Sequence, residues 1–405
     1  MHYQYNISTI IDNAISYYYI NMKHIADELN KIKELGLYRN LKAVENAQDT
    51  HIEIEGKTYL SFCSNNYLGL ASHPSVVKAV KDAVDMYGWG AGASRLVSGN
   101  MTLHETLEKV ISKFKRKEAT IVFPTGYMAN LGAISTLVSR GDLVVCDKLN
   151  HASIIDGCRL SGADFRVYAH CNMEKLENIL KKSSKYNRKL IVTDSVFSMD
   201  GDLAPLPDIV RIATKYNAMV MVDEAHGTGV FGQNGRGVVE HFNLHNEVDV
   251  VMGTLSKAIG SLGGYVCGDN DLISYLRNKA RPFMYTTALP PAVCAASIAG
   301  INLIQEDPSL REALWNNVRC IKERLGSLGI DMISSQSQII PLLIGDTQKA
   351  VDISKLLYER GVLIPAIRPP TVPANSSRLR MTVMSSHTQD DLESLFKVLK
   401  DVLNL

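Results

Sequence analysis

Between residues 118 and 270 six short aliphatic runs recur, TIVF, LVVC, LIVTD, MVMVD, VDVVMG and GYVCG, most of them separated by helix-like segments. Continuous apolar strands are buried on both faces, and strands joined by helix-length connections pair in parallel. The expected fold class is therefore α/β, a mostly parallel central sheet with helices on its faces. LPDIVRIATKYN supplies one crossover, because Ile209, Ile212, Ala213 and Tyr216 fall at i, i+3, i+4 and i+7 and form one apolar stripe. Upstream, HIEIEGKTYLSF over 51–62 alternates Ile52 and Ile54 with Glu53 and Glu55 and turns at Gly56, which predicts a hairpin. Beyond Pro290-Pro291 the texture becomes helical, then gives shorter strands and an amphipathic helix, DDLESLFKVLKDVL. The expected organisation is an N-terminal arm with helix and hairpin over 1–60, a large domain over 61–290 and a smaller C-terminal α/β domain over 291–405.

Charge and cysteine usage exclude several classes of function. With 43 basic and 42 acidic residues the formal charge is +1, so nothing draws the chain to nucleic acid or to an anionic membrane. The seven cysteines are widely spaced and contain no C-x-x-C, which argues against a disulfide framework or a zinc knuckle and favours a reducing cytoplasm. No apolar stretch approaches the roughly 20 residues that span a bilayer. The first residues, MHYQYNISTIIDNAISYYYINMKH, lack a basic start and a small-residue cleavage site and carry Asp12 in their apolar part, so they read poorly as a secretory signal. Met22 opens a more ordinary helix, MKHIADELNKIKEL, which leaves residues 1–21 as an extension of the start or a flexible arm.

In open α/β sheets ligands sit beyond the carboxyl ends of the strands. Those positions hold Pro124-Thr125-Gly126, Asp147 with Asn150-His151, Ser195 to Ser198, Asp223-Glu224-Ala225-His226, and Thr254 to Lys257. Taken alone, D-x-x-H is a structural turn, and DEAH at 223–226 also spells a helicase box. That reading fails for want of a phosphate loop: GKT occurs at 56–58, but the position five before Gly56 is His51, and the segment is hairpin-like. GTGVFG at 227–232 matches G-x-G-x-x-G, yet QNGRG follows where a helix is required, so it reads as a loop.

Lys257, in TLSKAIGSLGG, is the rarer feature. An ammonium at a buried strand end is costly unless paired or neutralised, whereas an amine condensed with an aldehyde cofactor escapes that cost. Pyridoxal 5′-phosphate asks for a lysine, an acid at its ring nitrogen, a stacking group and a phosphate site. Asp223 suits the ring nitrogen, His226 the ring hydroxyl and His151 the ring face. The turn into TGYMANLGAISTL aims the amides around Gly126 and Tyr127 at an anion, with the hydroxyls of Thr254 and Ser256 beside them.

The blocks SNNYLGLASHP, GAGASRLVSGNMTLHETLE, NHASIIDG, DSVFSMDGDLAPL, VDEAHGTGVFGQNGRG and TLSKAIGSLGG resemble the α-oxoamine synthases from about residue 24 onward. These fold-type-I, aminotransferase-like enzymes join an amino acid to an acyl thioester with loss of CO2. The resemblance implies Lys257 as the cofactor-bearing lysine and Asp223, His226, His151, Ser198, Thr254, Gly126 and Tyr127 as cofactor contacts. It further implies Arg380 as the clamp on the amino-acid carboxylate and Arg39, Asn65 and Thr371 on the substrate side. Thr286 and Thr287 match residues that reach the phosphate of a neighbouring subunit, so a homodimer is implied. The stretch AIRPPTVPANSSRLRMTVMSSHT at 366–388 resembles the members that use L-alanine and a pimeloyl thioester, carried by coenzyme A or by a carrier protein, to make 8-amino-7-oxononanoate for biotin. Alternatives are the glycine and acetyl-CoA ligase, a member with relaxed acyl choice, and a non-catalytic binder on the same fold. The retained lysine, aspartate and two histidines speak against the last. Departures are small: D-E-A-H stands for the frequent D-D-A-H, and GASR for G-G-S-R.

Overall fold

The computed structural model describes residue 22 and residues 24–404, so the expected extension or arm at 1–21 lies outside the described residues. The chain divides into two units, one ending at Val44 and one beginning at Glu45. In the first, the segment read as a helix is helical over 24–34 and closes at Gly36, whose φ of 65° is left-handed.

The second unit opens with the expected hairpin, β1 (His51–Ile54) and β2 (Lys57–Ser61), paired antiparallel with Ile54 opposite Lys57. Its two-residue turn, Glu55-Gly56, takes positive φ at both positions, 51° and 67°, the twist that matches right-handed strands. Then come the strands of the central sheet: β3 (Ala119–Phe123), β4 (Leu143–Asp147), β5 (Asp164–Tyr168), β6 (Lys189–Asp194), β7 (Met219–Asp223), β8 (Val250–Thr254) and β9 (Gly264–Gly268). Their spatial order is β3-β9-β8-β7-β6-β4-β5. All neighbours from β8 to β5 are parallel, and β9 lies antiparallel between β3 and β8. β5 is the strand that the aliphatic runs do not reveal. It is an edge strand, DFRVY, in which only Tyr168 is buried, so it needs no continuous apolar run.

Successive residues of the inner strands feed opposite faces. Val144, Cys146, Val250 and Met252 pack with the helices Gly126–Leu137 and Ala152–Ser161, while Val145 and Val251 pack with Leu107 and Ile111 and with Ile209 and Ile212 of the expected crossover helix. Each of these side chains is almost fully buried, worth on the order of 1.5–3 kcal/mol for a valine- to leucine-sized group. The C-terminal part adds β10 (Ile339–Gly345), β11 (Val362–Leu363), β12 (Ala366–Ile367) and β13 (Ser377–Thr382). β13 is sandwiched between β10 and β12, whereas β11 pairs in parallel with β2, so the hairpin and the C-terminal region share one small sheet.

One close approach sets the position of the helix that follows β3. Gly264, at the start of β9, lies so near Gly126 that an added Cβ would come 2.5 Å from Gly126 Cα and 2.7 Å from its N. We expect Gly264→Ala to destabilise the fold by about 1–3 kcal/mol in denaturant unfolding, because backbone cannot yield as a side chain would. Gly326→Ala, whose Cβ would meet only Met332 Cε at 4.0 Å inside the helix Ser309–Ser327, should be neutral or slightly stabilising in the same assay.

Candidate active site

The parallel strands bring their carboxyl ends to one edge, where Asp194 is directly opposite Asp223 and Asp223 opposite Met252. Beyond that edge is a cavity of about 230 Å³ lined by Gly126, Tyr127, His151, Ser198, Asp223, His226, Thr254, Ser256 and Lys257 together with Thr125, Asn130, Ser153, Asp194, Ala225 and Met252. Nine residues singled out from the sequence as cofactor contacts thus share one wall. A larger, open depression of about 1020 Å³ near Phe231, Arg311 and Trp315 contains none of them. Of these two, only the smaller cavity brings together a lysine amine, carboxylates and two imidazoles.

Lys257 Nζ lies 2.8 Å from His226 Nε2. Burial lowers its pKa to about 8, against the opposing pull of Asp223 and Asp194. The same withdrawal from water, with the charges of Lys257 and Arg380 nearby, keeps the His226 pKa well below its ordinary value, so this ring is neutral. Asp223 is 4% exposed and accepts from Asn130 Nδ2 at 2.8 Å and from the Ala225 amide at 2.8 Å. Asp194, held by the His151 amide at 2.7 Å, has its pKa pushed well above the carboxylate range by burial and by Asp223.

Local structure explains each placement. Thr125 caps the helix Gly126–Leu137 by accepting from the Met128 amide at 3.1 Å, which leaves the amides of Gly126 and Tyr127 unpaired at the positive end of the helix. Thr254 Oγ1 lies 2.7 Å from Ser256 Oγ and donates to Gly263 O at 2.9 Å. Asn150 donates to Val192 O and accepts from the Asp194 amide, and so ties the end of β4 to β6 and sets His151 over the cavity. Tyr127 stands edge-on to the His151 ring at 6.4 Å, its hydroxyl bonded to Asp156.

The substrate-side residues are distributed differently. Arg380, 7% exposed, donates through Nε to Ser198 O at 2.6 Å and through Nη2 to Asn65 Oδ1 at 3.4 Å, so Arg380 is one contact away from the cavity wall and Asn65 two. Thr371 is exposed in the loop before β13, with its amide on Arg368 O at 3.1 Å. Thr286 and Thr287 lie outside the cavity, in the partly exposed segment between the helices Arg281–Met284 and Pro291–Glu306. Arg39 is an exposed residue of the N-terminal unit. Sequence reading missed Asn130, Asp194 and Tyr67. Asn130 was findable, since it is one helical turn beyond Gly126 in the same motif; Tyr67, 159 residues from its partner His226, carried no spacing signal.

The donor set fits a flat pyridine aldehyde with a phosphate arm. A primary amine faces the same space as a buried carboxylate, one imidazole lines the wall and another overhangs it, and free helix amides lie beside two hydroxyls. Asn130 Oδ1, buried beside Asp223, has no hydrogen-bond partner among the described residues, as a wall that faces a ligand tolerates.

Comparison with known proteins agrees with that geometry. Residues 57–399 match the family described as aminotransferase class I and II. An 8-amino-7-oxononanoate synthase from Thermoanaerobacter pseudethanolicus is 48% identical over 383 residues, 94% of this chain and 97% of its own length. Serine palmitoyltransferase from S. paucimobilis, solved with a bound PLP-myriocin aldimine, superposes with a TM-score of 0.89 at 33% identity over 94% of this chain and 97% of that one. An 8-amino-7-oxononanoate synthase from Francisella tularensis gives a TM-score of 0.75 at 29% identity, over 85% of this chain and 98% of that one. The sheet, the amine at its carboxyl edge and the length of these matches place the chain in the aminotransferase class I and II family, among the pyridoxal-phosphate-dependent 8-amino-7-oxononanoate synthases.

Proposed function

We propose that this chain condenses L-alanine with a pimeloyl thioester, on coenzyme A or an acyl carrier protein, to give 8-amino-7-oxononanoate, CO2 and the free thiol in biotin biosynthesis. The observation that carries the reading is Lys257 Nζ, withdrawn from water at the sheet edge with Asp223 and His226, in a chain nearly half identical to curated synthases of that name. Residues Thr286 and Thr287, outside this cavity and partly exposed, support a homodimer in which they complete a partner's site. Among the described residues no helix is long and apolar enough to cross a membrane.

When bound, pyridoxal 5′-phosphate supplies an aldehyde that carries the amino acid and a ring that draws in the electrons left when a bond at Cα breaks. Asp223 holds a proton at the ring nitrogen, since a buried carboxylate favours the charged partner. The Gly126 and Tyr127 amides, with Thr254 and Ser256, hold the phosphate, and His151 covers the ring and keeps water off it. Arg380 takes the alanine carboxylate on its guanidinium fork, with Asn65 alongside. Lys257 Nζ would take the alanine Cα proton, which frees Cα to bond to the thioester carbonyl as the thiolate departs and takes a proton from solvent. Loss of the carboxylate as CO2 follows, and Lys257 returns a proton.

Four outcomes test this reading. Thiol release with alanine and pimeloyl-CoA should exceed that with glycine and acetyl-CoA; the reverse preference would assign the chain to the ligase alternative. Lys257→Ala should lose turnover and the yellow colour that the wild type takes on with pyridoxal 5′-phosphate. In steady-state kinetics Arg380→Lys should raise KM for alanine about 10- to 100-fold and leave KM for pimeloyl-CoA nearly unchanged, because one ammonium cannot replace a bidentate fork. Finally, the neutral amine is the nucleophile, and burial brings its pKa down to about 8. Cofactor uptake by the stripped protein, followed by absorbance, should therefore speed up about tenfold per pH unit below that value and level off above it.

A further inference from the structure

The contacts around His226 settle where its proton sits. Its Nε2 is 2.8 Å from Lys257 Nζ, and its Nδ1 is 2.7 Å from the Tyr67 hydroxyl. At neutral pH the Lys257 amine is mostly ammonium, with three donors and no acceptor. Nε2 must then accept, so the neutral ring carries its single proton on Nδ1 and donates it to the Tyr67 oxygen. The phenol has one proton to give, and Asn65 Oδ1 accepts it at 3.0 Å. That same oxygen receives Arg380 Nη2 at 3.4 Å. Each link therefore has one polarity: Lys257 donates to His226, His226 to Tyr67, and Tyr67 to Asn65, where Arg380 also donates.

Tyr67 is fully buried in the middle of this chain. The His226 backbone is pinned too, since Gln338 Nε2 donates to its carbonyl at 3.0 Å. The ring thus has a fixed place, and only its proton is free to change. The groups whose charge bears on His226 are Lys257, Arg380 and His151, and those bearing on Lys257 are Asp223, Asp194 and Arg380.

We propose that Tyr67 is a positioning residue that holds the His226 proton on Nδ1, presents Nε2 to Lys257 as an acceptor, and joins this pair to the Asn65 and Arg380 carboxylate clamp. Its hydroxyl can also reverse without moving a heavy atom, because a phenol O–H rotates and both accepts and donates, so it can follow a change of tautomer in His226. In the free site the ammonium needs a lone pair on Nε2. A ring oxygen of the cofactor at the same nitrogen would need a donor: Nε2 would take a proton that the Lys257 ammonium sheds on condensing, Nδ1 would release its own to solvent, and the Tyr67 hydroxyl would turn its O–H toward the bare Nδ1. The role in catalysis rests on the function proposed above; the polarity of the free chain does not.

Long-range proton-nitrogen NMR on the full-length chain labelled with 15N-histidine tests this, with His226 assigned by the signals lost in His226→Asn. The expected result is the Nδ1–H tautomer in the cofactor-free wild type and Nε2–H once pyridoxal 5′-phosphate is added. In cofactor-free Tyr67→Phe, which keeps the ring and removes the hydroxyl, the Nδ1–H preference should weaken, because the buried Nδ1–H loses its acceptor while the Lys257 ammonium still asks Nε2 to accept. Peptide mass spectrometry after brief treatment with an amine reagent at neutral pH should then find Lys257 modified roughly three- to tenfold faster than in the wild type, the effect of losing one hydrogen bond in the chain. An Nε2–H ring in the free wild type, the same tautomer before and after loading, or an unchanged Lys257 rate in Tyr67→Phe would overturn the proposal. None of these readouts needs alanine or a thioester, so their failure leaves the reaction untouched, and a chain inactive with alanine leaves the tautomer result standing.

Discussion

A primary amine held out of bulk water against two buried carboxylates is the constraint around which this molecule is built. Burial alone would drive the Lys257 proton off, and Asp223 and Asp194 hold it back, which brings the amine near neutrality at about pH 8. Such a balance exists only where low dielectric and fixed charges coincide. A surface lysine in the same sequence context would remain an ordinary ammonium.

That coincidence follows from parallel pairing. Strands β6, β7 and β8 end at one level because their registers align Asp194, Asp223 and Met252. The loops that leave this edge are then stapled from behind. The segment after β6 is held by Arg380 on Ser198 O, by Arg378 on Asp200 and by His170, whose two ring nitrogens bond Asp147 and Asp202 at 2.9 and 2.8 Å and whose pKa is raised to about 12 by those carboxylates despite burial. Gly201 belongs to the same staple: with φ of 72° and a hypothetical Cβ 2.2 Å from Ile339 O, no larger residue fits against β10. The C-terminal strands thus do double duty, closing the fold and carrying Arg380 to the segment beside the cavity.

The inner strands were legible because burial on both faces demands uninterrupted aliphatic residues. β5 was not, since an edge strand such as DFRVY faces water and shows a mixed pattern. At the site, Lys257, Asp223, His226 and His151 stood out because each directly follows an aliphatic run. Tyr67 and Asn65 follow no such run, and the link from Tyr67 to His226 joins residues 159 apart in the chain.

By itself the sequence determined the class of fold, the hairpin at 51–61, the crossover helix over 206–216 and the chemical inventory at the strand ends, because hydrophobic periodicity and turn residues act over a few neighbours. Only tertiary structure decided which of those groups share a cavity, that Thr371, Thr286 and Thr287 lie outside it, and in which direction the hydrogen bonds from Lys257 through His226 and Tyr67 run. The reason is that dielectric environment and hydrogen-bond polarity belong to the packed assembly, set by atoms that are distant in the chain and adjacent in space.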